Sequence, residues 1–176
     1  ISAPDPLRQD TTLDGASVGL RLGNTQAALR SISAQDGVRM SASIDYLKAT
    51  AGDRWRSGAD VTASIYRSFP SWTRAGRPVF AATARIAEQR GPAATRLSAG
   101  GVGTTAVLAA GDSNFEVRGY PPGFVAASAL WSIRTEIRLP IARVSRGLGA
   151  LPFYLRGLSG SGFIDSVGTA SRVDQL

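Results

Sequence analysis

The strongest constraint in this sequence is an alternation of apolar and polar residues with a period of two. Its clearest stretch covers residues 130–139, where Ile133 and Ile137 fall on one side and Arg134, Glu136 and Arg138 on the other. Side chains of a β-strand point alternately to the two faces of its sheet, whereas a helix repeats about every 3.6 residues. The pattern therefore predicts strands that have one apolar and one polar face.

Six stretches of the chain carry this alternation, and turn-forming residues separate them. They cover residues 15–24, 38–49, 58–69, 77–89, 127–140 and 159–169. Gln35-Asp36-Gly37 and Ala51-Gly52-Asp53 are typical of tight turns. We therefore predict an all-β fold in which the strands form an antiparallel meander. No apolar run reaches the roughly 18 residues that a membrane-spanning helix needs.

Two architectures produce such strands. In a soluble barrel or sandwich the apolar face packs inward, whereas in an outer-membrane barrel it contacts lipid and the polar face lines a wet lumen. Charges of both signs in mid-strand and modest apolar side chains favour the second architecture. So do the aromatic residues near strand ends, which are typical of membrane interfaces: Tyr46, Trp55, Phe69, Trp72 and Trp131. We predict that residues 1–176 form part of a transmembrane β-barrel, and the alternative is a soluble all-β module that binds an anionic ligand.

The composition excludes several kinds of catalytic and metal site. The chain has no histidine and no cysteine, which excludes zinc fingers, disulfide scaffolds and nucleophiles that depend on either residue. We expect no enzyme activity, no cofactor and no metal. The net charge of +7 comes almost entirely from arginines that are spaced singly. Because a nucleic-acid module would show a clustered basic stripe, we expect no nucleic-acid partner.

Residues 90–126 interrupt the alternation and form the longest predicted loop. Loops beyond about 12–15 residues are uncommon in compact domains and are usually functional. This loop contains Gly100-Gly101-Val102-Gly103 and ends near FEVRGYPPG at residues 115–123. Glycine permits close backbone approach and proline restricts the backbone. The composition therefore predicts a loop that is held in a fixed conformation.

The long loop and the strands after it carry three motifs, which are Val117-Arg118-Gly119-Tyr120, TEIRLP at residues 135–140 and Phe163-Ile164-Asp165. The first is similar to the VRG(F/Y) loop motif of the bacterial surface antigen superfamily of outer-membrane barrels, and the second is similar to the strand after the loop in that family. Phe163-Ile164-Asp165 resembles the start of its F-x-D-x-G strand motif, although the glycine is displaced by one position to Gly168. The likeness is strongest to barrels that follow a periplasmic β-propeller, through Arg146-Gly147-Leu148-Gly149, Leu151-Pro152 and Leu155-Arg156.

The resemblance implies a role for the long loop. The loop would fold back into the lumen and be locked there by its motif, whose residues are Val117, Arg118, Gly119 and Tyr120. Its expected partners in the lumen are Glu136, Phe163, Asp165 and Gly168. Arg118 would pair with Asp165, with Glu136 nearby, because a guanidinium in the lumen needs a carboxylate and bidentate pairing would pin the loop.

The function that the resemblance implies is insertion or translocation of proteins at the bacterial outer membrane, without covalent chemistry. The expected partners are outer-membrane lipid, unfolded client polypeptides and periplasmic domains of the same chain. A passive outer-membrane pore is the alternative within the same architecture. Because single-chain barrels have at least about eight strands, we expect the sequence to be an internal fragment of a longer barrel.

Overall fold

The computed structural model describes residues 12–27, 34–50, 52–70, 75–101, 114–147 and 154–170, and the regular secondary structure of these residues is entirely β. The strands are β1 (Leu13–Gly23), β2 (Gly37–Ala49), β3 (Trp55–Ser68), β4 (Val79–Arg90), β5 (Leu97–Ala99), β6 (Asn114–Phe115), β7 (Val125–Ala127), β8 (Ala129–Gly147) and β9 (Tyr154–Thr169). Six of them form one sheet in the order β1-β2-β3-β4-β8-β9, and every neighbouring pair is antiparallel. The predicted all-β antiparallel meander is confirmed.

The strand boundaries differ from the predicted ones mainly in β8 and β9. The bounds of β1 to β4 lie within three residues of the predicted ranges. The last two strands are longer: β8 continues beyond Pro140, and β9 begins five residues before position 159. The sequence pattern placed an end at Pro140 because proline lacks the N–H that a strand ladder uses. In the structure, register shifts between Pro140 and Ala142 and between Arg143 and Arg146 let the pairing continue.

The chain between β4 and β8, which we call the β4–β8 segment, contains three strands that the loop prediction lacked. They form a small sheet in the order β6-β5-β7, in which β5 pairs parallel with β6 and antiparallel with β7. Two- and three-residue strands are too short to show a clear alternation, so the sequence resembled a loop. The segment is nevertheless built on strand pairing.

The register of the large sheet separates its residues into an apolar face and a polar face. Directly opposed residues point to the same side of a sheet, so the pairs Val18–Ile44 and Ala84–Ile133 lie on one side and Thr83–Arg134 on the other. The apolar face includes Val18, Leu20, Leu22, Met40, Ile44, Val61, Ile65, Ile86, Ile133, Ile137 and Ile164. The polar face includes Arg21, Ser43, Asp45, Asp60, Ser64, Thr83, Arg85, Ser132, Arg134, Glu136 and Asp165.

Burial is the reverse of that in a soluble sheet. The large residues of the apolar face are exposed, for example Ile133 at 47% and Ile164 at 72%. Ser64 and Ser132 on the polar face are buried. The core lies on the polar face, between the sheet and the β4–β8 segment.

Candidate functional site

A small apolar core holds the β4–β8 segment on the polar face. Its members are Ala87 and Leu130 from the sheet and Leu97, Ala99, Phe115 and Val117 from the segment. Phe115 is 1% exposed. The sequences Leu-Ser-Ala and Phe-Glu-Val each alternate, so their first and last residues can face the sheet together. Burial of these side chains brings the adjoining Arg118 over β8 and β9.

Arg118 binds the carboxylate of Asp165 through three hydrogen bonds. Its Nε donates to Oδ2 at 2.8 Å, its Nη2 donates to Oδ1 at 2.6 Å, and its backbone N–H donates to Oδ2 at 3.1 Å. The remaining arm of the guanidinium, Nη1, donates to Oε2 of Glu136 at 3.0 Å. This is the bidentate geometry that fixes the orientation as well as the position of an arginine.

The guanidinium also lies over an aromatic ring. The Cζ atom of Arg118 is 3.7 Å from the centroid of the Phe163 ring, within the range of a cation–π interaction. The register places Phe163 directly opposite Glu136, and Asp165 directly opposite Arg134. Adjacent polar-face positions of β8 and β9 therefore supply two carboxylates and a ring to one loop arginine.

The ion pairs continue on both sides of this centre. Arg138 Nε donates to Glu136 Oε1 at 2.8 Å, and Arg134 Nη1 donates to Glu116 Oε2 at 2.9 Å. Arg134 Nε lies 3.9 Å from Oδ1 of Asp165. We call these side chains the β8–β9 ion network: Glu116, Arg118, Arg134, Glu136, Arg138 and Asp165. With three arginines and three carboxylates, the network is neutral.

Burial makes the central pair more than a surface salt bridge. The side chain of Asp165 is 3% exposed and that of Arg118 is 18% exposed. The hydrogen bonds to Asp165, followed by the one to Glu136, raise the pKa of Arg118 above its ordinary value, against the opposing effect of burial. Arg118 is therefore charged at every pH that the protein meets, and the arrangement depends on its carboxylate partners.

The other predicted site residues have different surroundings. Val117 is part of the apolar core, and Gly119 has a φ of 86°, in the left-handed region that glycine adopts without strain. Tyr120 is half exposed and stacks on Phe124, with 4.5 Å between ring centroids. Val117, Arg118, Glu136, Phe163 and Asp165 come together on the polar face, whereas Gly119 and Tyr120 shape the turn beside them.

Gly168 was predicted among the lumen partners, but the structure places it on the apolar side of β9. It follows Asp165 by three positions, and an odd separation along a strand leads to the opposite face. Gly168 lies opposite Trp131, and an added Cβ atom would come within 2.6 Å of the Trp131 ring. Its role is to provide space for that ring.

A second ion pair on the polar face was not predicted. Arg85 Nε donates to Asp60 Oδ2 at 2.7 Å, and the Cζ atom of Arg85 lies 4.6 Å from the centroid of the Phe115 ring. The alternation already placed Asp60 and Arg85 on polar faces, but the register of β3 against β4 was needed to make them neighbours. Through its contact with Phe115, this pair holds the apolar core under the β4–β8 segment from the side of β3 and β4.

One of the predicted motifs lies largely outside the described residues. Residues 148–153 are not described, and they hold much of the RGLG…LP…LR stretch. In the described ranges, no group of three or more acidic, histidine or cysteine side chains could hold a metal ion. The same residues include no helix that is long and apolar enough to cross a membrane.

Comparisons with protein-family models, curated proteins and solved structures find no match to this chain.

Proposed function

We propose that this chain forms part of the wall of a bacterial outer-membrane β-barrel, with its apolar face against lipid and its polar face toward a water-filled lumen. The observation that carries the proposal is the reversed burial of the sheet, since the large side chains of the apolar face are exposed while Ser64 and Ser132 on the polar face are buried. Soluble monomers rarely expose contiguous apolar patches of more than a few hundred Å². Hydrocarbon is the medium in which such a face is stable.

The dimensions of the apolar face suit a bilayer. Along β2 it extends over nine residues, from Val38 to Tyr46, which is within the range of about 9–11 residues with which a tilted β-strand crosses a membrane. At one end of this stretch Tyr46 and Trp55 stack, with 6.2 Å between ring centroids. Aromatic side chains of this kind anchor barrels at the level of the lipid headgroups.

The edges of the sheet favour a larger barrel. In the described sheet, β1 and β9 each pair with one neighbour only. An unpaired backbone edge in hydrocarbon costs several kcal/mol per group, so barrels close on themselves. We therefore place β1 and β9 beside further strands of a longer barrel.

Insertion or translocation of proteins, without covalent chemistry, is the activity that we propose for this barrel. It rests on the similarity of Val117-Arg118-Gly119-Tyr120 and Phe163-Ile164-Asp165 to motifs of the bacterial surface antigen superfamily. The contacts of Arg118 with Asp165 and Glu136 support it, because they give the motif residues a structural role. These contacts hold the β4–β8 segment against the polar face of β8 and β9. The partners are outer-membrane lipid and unfolded client polypeptides.

A passive pore is the second candidate, and one observation favours it. The β4–β8 segment packs over β4, β8 and β9, whereas the polar face of β1 to β3 borders a cavity of about 840 Å³. An open polar surface of this size would let small solutes pass beside the segment.

Reconstitution of the natural full-length protein in liposomes tests the proposal and separates the two candidates. An unfolded outer-membrane barrel protein is added, and its folding is followed by the heat-dependent shift of its gel mobility. We expect faster folding of the client than in empty liposomes, and a smaller effect for Arg118→Ala than for Arg54→Ala, whose side chain is exposed in the turn after β2. Ion conductance without any effect on the client would instead establish the passive pore. Failure to enter the bilayer would refute both.

A further inference from the structure

The polar face is divided into a covered half and an open half. The covered half, on β4, β8 and β9, carries the segment core and the β8–β9 ion network. The open half, on β1 to β3, borders the cavity of about 840 Å³, whose lining includes glycines, alanines, serines and charged side chains. Ser17, Ser41 and Ser43 are the hydroxyl-bearing residues that β1 and β2 contribute to it. Because the other lining residues are uncharged, the charged side chains set the electrostatic potential of this surface.

The two halves differ in charge balance. In the covered half the three arginines of the ion network face three carboxylates. In the open half Asp45 pairs with Arg56 at 3.4 Å, and Asp60 pairs with Arg85 at 2.7 Å. Asp45 and Asp60 are the two carboxylates that strands β1 to β3 themselves place on the polar face, and both are already paired.

Within the part of the chain that the structure describes, two arginines of the open half have no carboxylate partner. Arg21 on β1 and Arg39 on β2 are exposed, and neither has an ion pair or a side-chain hydrogen bond among the described residues. Arg21 lies opposite Ser41, and Gly23 lies opposite Arg39. The two arginines are thus diagonal neighbours on one face, with Cβ atoms about 7–8 Å apart or closer.

We propose that Arg21 and Arg39 make the open half of the polar face attract anions, so that the barrel conducts anions in preference to cations. The inference rests on the proposed function, because it requires the polar face to line a water-filled lumen. Unpaired guanidinium groups on a low-dielectric wall raise the local concentration of anions and repel cations. Rings of arginine and lysine select anions in other pores by the same means. Paired arginines contribute little, because a carboxylate cancels their field at short range.

The experiment measures the reversal potential of the natural full-length protein in a planar bilayer that separates two KCl concentrations. We expect the permeability ratio of chloride to potassium to exceed one. The double variant Arg21→Glu/Arg39→Glu should lower the ratio about fivefold or more, as expected for reversal of charges at close range. The neutral variant Arg21→Gln/Arg39→Gln should give an intermediate ratio, and heat-dependent gel mobility checks that each variant folds.

Lys48→Glu/Arg67→Glu is the matched control. It makes the same change in charge, but Lys48 and Arg67 lie opposite Trp55 and Phe80, on the apolar side of the sheet. We expect this control to retain the ratio of the unsubstituted protein. A cation-selective protein, or an equal change in the control and the Arg21/Arg39 variants, would overturn the anion proposal and leave the barrel proposal intact. Absence of any conductance would overturn the anion proposal and count against a water-filled lumen.

Discussion

Removal of the Arg118 side chain is the most informative perturbation of the β8–β9 ion network. Arg118→Ala deletes two hydrogen bonds to Asp165, one to Glu136 and the contact with the Phe163 ring. The carboxylate of Asp165 stays buried, with the backbone N–H of residue 118 as its one remaining hydrogen-bond donor of those described. Glu136 keeps Arg138. The cost therefore comes mainly from Asp165, since Glu136 retains a charged partner.

The expected loss in the free energy of unfolding follows from these contacts. Breaking a buried ion pair by removing one partner destabilises a protein by roughly 3–5 kcal/mol. Because Asp165 keeps one donor and lies 3.9 Å from Arg134, we expect the low end, about 3 kcal/mol, which is more than a hundredfold in the folding equilibrium. Arg118→Lys retains the charge but loses the bidentate fork, so we expect about half of that loss.

Urea titration of the protein in lipid vesicles measures the free energy of unfolding, and hydrogen exchange locates the loss. The amides of Gly100 and Gly101 donate to the carbonyls of Phe115 and Tyr120 within the segment. They should exchange faster in Arg118→Ala than the amides of β2. Arg54→Ala is the control. A change of less than about 0.5 kcal/mol in Arg118→Ala, equal to the control, would refute the idea that this arginine locks the segment.

Two further predictions concern the sheet. Gly168→Val should lower the free energy of unfolding by about 1–3 kcal/mol, because the new side chain would collide with the Trp131 ring; Gly162→Ala, with open space at its Cβ position, should change it far less in the same urea titration. Hydrogen bonds from the hydroxyl and the backbone N–H of Ser68 lower the pKa of Asp36. The ionised Asp36 carboxylate therefore stabilises the fold fully above the pKa of an unfolded aspartate, about 3.9. This stabilisation is lost as the pH falls through the lower pKa of the folded state. Ser68→Ala should therefore lose less stability than the unsubstituted protein when urea midpoints at pH 6 and pH 3 are compared, and an equal loss would contradict this assignment.

The sequence predicts the large sheet well because each of its strands is long enough to show the alternation. Residues on β8 such as Ile133 and Arg134 were assigned to opposite faces from sequence alone, and the register agrees. The β4–β8 segment was harder, because its strands are two or three residues long and their partners are distant in sequence. Leu97 and Phe115 become neighbours only after the segment folds onto the polar face.

The contacts of the site depended on different kinds of information. The pairing of Arg118 with Asp165 followed from the resemblance, since 47 residues separate them and no local pattern connects them. The pairing of Arg85 with Asp60 needed the register of β3 against β4. Alternation does not determine this register, because a shift of two residues keeps every side chain on the same face. The placement of Gly168 was available from counting along the strand from Asp165.

The central claim, that the apolar face contacts lipid and the polar face contacts water, can be tested at two adjacent residues. The chain has no cysteine, so Ser43→Cys and Ile44→Cys each introduce a single thiol on neighbouring positions of β2. A membrane-impermeant maleimide should label the thiol at position 43 at least about tenfold faster in vesicles, because a thiol in hydrocarbon does not ionise. Equal rates, or faster labelling at position 44, would contradict the account.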